Sequence, residues 1–215
     1  GFQIAENLKY HTTMSKKEIR EKTISLLDDM GIPLPEQRVD EYPHSYSGGM
    51  RQRAMIAMAL SCRPQLLIAD EPTTALDVTI QAQILELIQS LQEKFAMTVQ
   101  FITHDLGVVS EIADDVMVMY AGNTCEKTSA EKIFAEPAHP YTRALLRSIP
   151  RIGQRKKRLP VIHGTVPSPL NMGPGCLFSN RCPSAQAKCL QERPSLTSLD
   201  PDHQIACFYP IQEKL

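Results

Sequence analysis

Apolar positions recur along this chain with helical spacing in some stretches and as short unbroken runs in others. Between Ser15 and Met30 they fall at Ile19, Ile24, Leu26, Leu27 and Met30. That spacing predicts an amphipathic helix with Ser15 as its cap and Gly31 as its stop. A second helix is predicted over Ser47 to Ser61, opened by a glycine pair. A third is predicted over Val78 to Phe95, with Ile80, Ile84, Leu87, Ile88 and Leu91 on one face. Gln65 to Asp70 carries the run Leu66-Leu67-Ile68-Ala69 between turn residues, which predicts a buried parallel strand. Thr98 to Thr103 and Asp115 to Tyr120 read as further strands. Strands alternating with helices predict an α/β sheet with helices on its faces. The Pro-rich segment from Pro137 caps a short helix over Tyr141 to Ser148.

Composition narrows the classes. The 215 residues suffice for one core, or for one core and a small appended module. A net charge of −1 gives no sign of a nucleic-acid binder. The longest unbroken apolar run, Ala54 to Leu60, is seven residues, where a membrane-spanning helix needs about 20. No secretory signal opens the chain. It begins at Gly1, in what reads as mid-domain sequence, so a piece of a longer protein is expected. After Pro150 the character changes. Arg151 to Leu190 holds seven Lys or Arg, five prolines and no Asp or Glu, and Gln154 to Arg158 reads as a linker or exposed arm. A module boundary is expected there, giving parts 1–150 and 151–215.

Three short motifs carry chemistry. In Tyr46-Ser47-Gly48-Gly49-Met50-Arg51-Gln52-Arg53, consecutive glycines before a helix let backbone N–H groups approach an anion. The plainer reading is an ordinary Ser N-cap. In Leu66 to Pro72, four apolar residues precede Asp70 and Glu71, placing two carboxylates at the C-terminal end of a strand, where open α/β sheets bind ligands. Asp70 suits Mg²⁺ and Glu71 suits the group that orients an attacking water. Two acids also end many strands in plain solvent. His104, in Ile102-Thr103-His104-Asp105, ends another strand and could contact a γ-phosphate or hold that water, although a lone His is more often structural.

Taken together, the three motifs resemble the nucleotide-binding domain of ABC transporters. Ser47-Gly48-Gly49 is similar to the family's signature motif, with Tyr46 and Met50 in place of its usual Leu and Gln. Leu66 to Asp70 resembles Walker B, Glu71 the catalytic glutamate, Ala75-Leu76-Asp77 the D-loop and His104 the switch histidine. The resemblance runs from about Gly1 to Ser148. Pro137-Ala138-His139-Pro140-Tyr141-Thr142, Met119-Tyr120-Ala121-Gly122 and the Cys-rich tail resemble the dipeptide/oligopeptide importer branch. One departure matters: no G-x-x-x-x-G-K-[ST] loop, the phosphate cradle of P-loop ATPases, occurs in the chain. In the family that loop and the Q-loop precede the part seen here. The sheet is therefore expected to be incomplete, and the chain alone is expected neither to bind ATP tightly nor to hydrolyse it.

Cys176, Cys182, Cys189 and Cys207 are spaced C-x5-C-x6-C-x17-C. Zinc ribbons show tighter pairs and ferredoxins a different run. Four thiolates can still converge on one metal centre, and basic neighbours Arg181 and Lys188 favour an anionic one. The importer resemblance implies a [4Fe–4S] cluster, with Zn²⁺ second and free or disulfide-bonded thiols third. Cys62 and Cys125 read as small buried hydrophobes.

The expected fold is thus α/β: a partial ABC-type nucleotide-binding domain, a parallel sheet with helices, plus a small Cys-rich C-terminal module. The resemblance implies an ATPase that energises peptide import, using ATP and Mg²⁺. Ser47, Gly48 and Gly49 would serve the nucleotide of a second ATPase subunit in a head-to-tail dimer. Asp70, Glu71, Asp77 and His104 would serve the chain's own. Two transmembrane permease subunits and, indirectly, a peptide-binding protein would be its partners, at the cytoplasmic face of the cell membrane. The alternatives are a non-catalytic docking or redox-sensing module, and a DNA-repair ATPase of the same superfamily, against which the lack of a coiled-coil insertion speaks.

Overall fold

Helix α1 (Phe2–His11) buries Ile4 and Leu8 against the helix that follows. That helix, α2 (Lys16–Asp29), starts at Ser15, whose hydroxyl accepts from the Glu18 amide while the Glu18 carboxylate takes the Ser15 amide. This reciprocal capping box satisfies two of the amides a helix start leaves open. Gly31, at φ 66°, ends it in the left-handed region that glycine enters without a side-chain clash. The short α3 (Pro35–Arg38) follows, then α4 (Gly48–Leu60), capped by the Ser47 hydroxyl on the Met50 amide. Strand β1 (Leu66–Asp70), helix α5 (Val78–Phe95) and strand β2 (Thr98–Ile102) form one β-α-β crossover. The strands are parallel, in register from Leu66–Thr98 to Asp70–Ile102. Leu26, Leu27, Met30, Leu60, Ile84 and Ile88 fill the core beneath.

The computed structural model describes residues 1–74, 76–150 and 160–212. Within them the chain makes two compact units, Gly1–His104 and Asp105–Leu215. The second opens with α6 (Leu106–Ile112) and contains β3 (Asp115–Tyr120), β4 (Asn123–Ser129), α7 (Ala130–Ala135) and α8 (Pro140–Arg147). It closes with α9 (Ala187–Gln191), β5 (Thr197–Asp200) and β6 (His203–Ile205). Its sheet is antiparallel, ordered β3-β4-β6-β5. Val116, Val118 and Ile133 form one core cluster, and Tyr120, Cys125 and Phe178 another.

The structure corrects two expectations. β1 is not buried on both faces: Leu67 and Ala69 point inward, while Leu66 and Ile68 are 49% and 58% exposed. Helices of this unit cover one face of the pair only. The run Asp115 to Tyr120 is a strand, but it does not join the parallel sheet. Only Ala121 and Gly122, both at positive φ, separate β3 from β4. A two-residue turn of that kind makes an antiparallel hairpin, since a parallel neighbour needs a long crossover. The expected boundary near Pro150 falls inside the second unit, and the Gln154–Arg158 linker lies outside the described residues. Among the described residues, no helix is long and apolar enough to cross a membrane.

Candidate functional site

Parallel pairing brings the ends of β1 and β2 to one edge. Asp70 is the last residue of β1, exposed, opposite Ile102. Glu71 follows at φ 46°, a left-handed conformation that strains a residue with a side chain. Its amide donates to the Ile102 carbonyl at 2.9 Å, so the turn is pinned to the neighbouring strand. The carboxylate is held at both oxygens. Thr74 Oγ1 donates to Oε2 at 2.9 Å, and His104 Nδ1 lies 3.2 Å from Oε1. The Thr74 bond first, then the His104 bond, hold the Glu71 carboxyl below the usual carboxylate range. With Nδ1–H donating to Glu71, a neutral His104 keeps Nε2 as an acceptor, free for a water proton. Glu71 and His104, 33 residues apart in the chain, are thus one hydrogen-bonded pair.

The glycine motif sits at the start of α4. A Cβ on Gly49 would come 3.2 Å from Ile80 Cγ2, so this glycine lets α4 pack closely on α5. A Cβ on Gly48 would meet nothing within 4 Å. Among the described residues no packing requires a glycine there, and the space beside Gly48, at the Ser47-capped start of α4, is open. Asp77 caps α5, its Oδ1 accepting from the Ile80 amide at 3.0 Å. The starts of α4 and α5 therefore lie side by side, bringing Ser47, Gly48, Gly49 and Asp77 into one region. Ala75 of the expected D-loop lies outside the described residues. Sequence reasoning missed Gln52. It reaches from α4 to hydrogen-bond the Pro72 carbonyl, tying the glycine-motif helix to the turn that carries Glu71. Thr74, three residues after Glu71, was also missed, because a short-range side-chain bond leaves no periodic signal.

In the second unit, Cys176, Cys182, Cys189 and Cys207 line a single small cavity of about 20 Å³, with His139, Phe178 and Phe208. Burial pushes the Cys207 thiol up to about 11, and raises those of Cys176 and Cys182 as well. Half-buried thiols with raised pKa values ionise more readily when a cation offsets the charge, as a metal does. As a donor set, four thiols around one cavity suit a soft metal. Their spacing does not close on an ion: among the described residues no group of three or more His, Cys, Asp or Glu is placed to hold one. The cavity itself is about the size of one water, smaller than an iron–sulfur cube. Cys125 packs beside Phe178 and Cys176, its thiol pushed up to about 12 by burial, in keeping with a small apolar residue. Cys62 is exposed, which corrects the expectation that it is buried.

A family model described as ABC transporter matches residues 2–74. One described as the C-terminal region of the oligopeptide/dipeptide transporter matches residues 125–189. The chain is 54% identical over 213 residues to the oligopeptide transport ATP-binding protein AppD of Bacillus subtilis, covering 99% of this chain and 65% of that protein. It is 52% identical over 213 residues to the dipeptide transport ATP-binding protein DppD of Escherichia coli K12, with the same coverage. The chain thus spans just under two thirds of the length of these curated relatives. Among solved structures, cbiO1 of Clostridium perfringens, part of the ABC transporter complex cbiONQ, matches with a TM-score of 0.54 at 28% identity, over 61% of this chain and 51% of that one. The fold is the α/β nucleotide-binding fold of ABC ATPases.

Because the Thr74 bond is the largest cause of the lowered Glu71 pKa, Thr74→Val is expected to move the titration of Glu71 upward toward the ordinary carboxylate range. His104→Ala is expected to move it less. Carboxyl carbon chemical shifts followed against pH measure both, and an unmoved Glu71 in Thr74→Val would show that the bond does not persist in solution.

Proposed function

The chain belongs to the ABC transporter ATP-binding proteins of the oligopeptide/dipeptide importer type, and we propose that it supplies the hydrolytic half of an ATPase that energises peptide import. The observation that carries this reading is the Glu71–His104 pair at the open end of a parallel β-α-β unit. Attack on a γ-phosphate needs a water held in line, and most of the catalysis comes from positioning and charge rather than covalent chemistry. Glu71, with its carboxylate fixed at both oxygens, orients that water and receives its proton. His104 fixes Glu71 and offers Nε2 to the same water. Asp70, exposed at the end of its strand, would hold Mg²⁺ directly or through water, which would offset charge on the phosphates.

Ser47, Gly48 and Gly49 close over nucleotide bound by a second ATPase subunit in a head-to-tail dimer. The open space at Gly48, at the start of α4, supports that role, and Asp77 lies beside it at the start of α5. Two permease subunits would dock on the first unit, where a groove of about 1260 Å³ displays the exposed side chains Phe2, Tyr10, Tyr42 and Met55. A peptide-binding protein would act through those permeases, and the assembly would sit at the cytoplasmic face of the membrane. The part of the sheet that carries the phosphate-cradling loop is absent from these 215 residues; the open face at Leu66 and Ile68 supports that view. The cysteine-lined cavity is read as part of a C-terminal Cys-rich module whose thiolates would hold a metal centre, [4Fe–4S] first and zinc second, after a rearrangement, since as they stand no three of them are placed to share an ion. Four cysteines from distant positions around one cavity support it.

In the full-length ATPase subunit, Glu71→Gln is expected to lower turnover by at least ~10², the scale of a lost general base, while ATP still promotes dimerisation. Near-normal ATP hydrolysis in that variant would remove the role given to Glu71. For the 215-residue chain alone, isothermal titration with Mg-ATP is expected to show no tight binding, since backbone cradle and lysine supply most of a P-loop protein's grip. Micromolar affinity would reveal a phosphate site elsewhere in the chain. Purified without oxygen, the chain is expected to be brown, with thiolate-to-iron absorption near ~400 nm. Colourless protein with stoichiometric zinc would move the centre to zinc, and four free thiols without metal would dismiss both.

A further inference from the structure

Seventeen residues separate Cys189 from Cys207, so nothing local places the fourth cysteine beside the other three. The structure shows what does. Strand β6 pairs with β4, Glu126 opposite Ile205, and the Ala206 amide donates to the Cys125 carbonyl at 2.8 Å. Farther on, the Ile211 amide donates to the Ala138 carbonyl at 2.8 Å. Cys207 therefore lies on a short span fastened at both ends, to β4 and to the Pro137–Pro140 segment.

Both fastenings meet at Glu126, whose side chain is fully buried. Its Oε1 accepts from the Ala138 amide at 2.7 Å, and its Oε2 from the His139 amide at 3.0 Å. The buried His203, first residue of β6, brings Nε2 within 2.7 Å of Oε1. Three donors on one buried carboxylate satisfy a group that would otherwise be costly to enclose. His139 continues the network. Its Nδ1 accepts from the Tyr141 amide at 3.0 Å. His139 also lines the cysteine cavity, so the network anchored on Glu126 reaches its wall.

We propose that Glu126 is the positioning residue of the four-cysteine site, its carboxylate locking the Pro137–Pro140 segment to the C-terminal hairpin so that Cys207 faces Cys176, Cys182 and Cys189. This rests on the reading of those cysteines as a metal site, but it makes a claim about Cys207 that holds without any metal. Replacing Glu126 by Gln keeps the volume and turns one acceptor into a donor aimed at other donors. The hairpin should then open locally while α9 and its Cys189 stay in place.

The test uses the 215-residue chain as wild type, Glu126→Gln, His203→Gln and Cys207→Ser. In metal-free protein, alkylation of each cysteine by N-ethylmaleimide is followed by mass spectrometry. Glu126→Gln is expected to speed labelling of Cys207 by ~10-fold or more and to leave Cys176 near its wild-type rate, the change expected from losing one charge-assisted bond. His203→Gln retains a donor to Glu126 and is expected to stay close to wild type. Cobalt(II) then serves as the probe metal. Sulfur-to-cobalt charge-transfer absorbance per bound ion is expected to fall by about a quarter in Glu126→Gln, as in Cys207→Ser, because three thiolates remain of four. General destabilisation would instead speed labelling of all four cysteines together and leave the absorbance per bound ion unchanged, which would overturn the proposal. So would wild-type labelling in Glu126→Gln. If that variant does not fold, His203→Ala, which removes one donor of the three, is read the same way. If wild type takes up no cobalt, the metal-site reading falls while the labelling still decides the role of Glu126.

Discussion

Two strands paired in parallel, with a helix returning the chain between them, must end at the same edge, because the crossover brings the second strand in from the side where the first began. In this protein that rule governs β1, α5 and β2. It places Asp70 beside Ile102 and lets residues just beyond the two strands, Glu71 and His104, reach each other. Everything proposed about water activation depends on that pairing. Without it the two side chains belong to separate loops. α5 holds the pairing in place by burying Ile84, Ile88 and Leu91 in the core of the first unit.

The turn after β1 shows how the scaffold fixes a strained residue. Glu71 adopts a left-handed backbone at a cost of order 1–3 kcal/mol. Its amide bond to Ile102, its side-chain bonds to Thr74 and His104, and the Gln52 bond to the Pro72 carbonyl together over-determine that conformation. Such a turn gives a carboxylate one direction to point, which is what orienting a water demands. The same Gln52 joins this turn to the helix that opens with Gly48 and Gly49, so the two halves of the proposed nucleotide machinery are mechanically connected within the first unit.

In the second unit the organising group is a buried carboxylate rather than a strand pair. Apolar packing around Tyr120, Phe178 and Tyr141 encloses the region, aromatic rings meeting edge-on or tilted. Packing alone is non-directional and would tolerate more than one placement of the C-terminal hairpin. The bonds to Glu126 are directional, and breaking any of them would leave a polar group unsatisfied in the interior. Arg181 plays a comparable part on the other side, its guanidinium bonding the His163 and Ile162 carbonyls and the Tyr120 hydroxyl.

Periodicity and local chemistry were enough to locate α2, α4, α5, β1, β2 and β3 nearly to the residue, since caps such as Ser15 and Ser47 act over three residues and a helical stripe repeats every turn. The motifs around Gly48, Asp70 and His104 were legible for the same reason: each is contiguous, and the family resemblance rests on their order. Pairing partners were not legible. Whether Asp115–Tyr120 joined a parallel sheet or a hairpin turned on the positive φ of Ala121 and Gly122, and whether β1 was covered on one face or two turned on which helices packed there. Helix α6, strand β4 and the hairpin of β5 and β6 carry short or mixed patterns that become regular only against their neighbours. The role of Glu126 was least visible of all. Its partners are 12, 13 and 77 residues away, and a carboxylate in an ordinary polar stretch reads as surface until the fold closes around it and leaves it no water to bond.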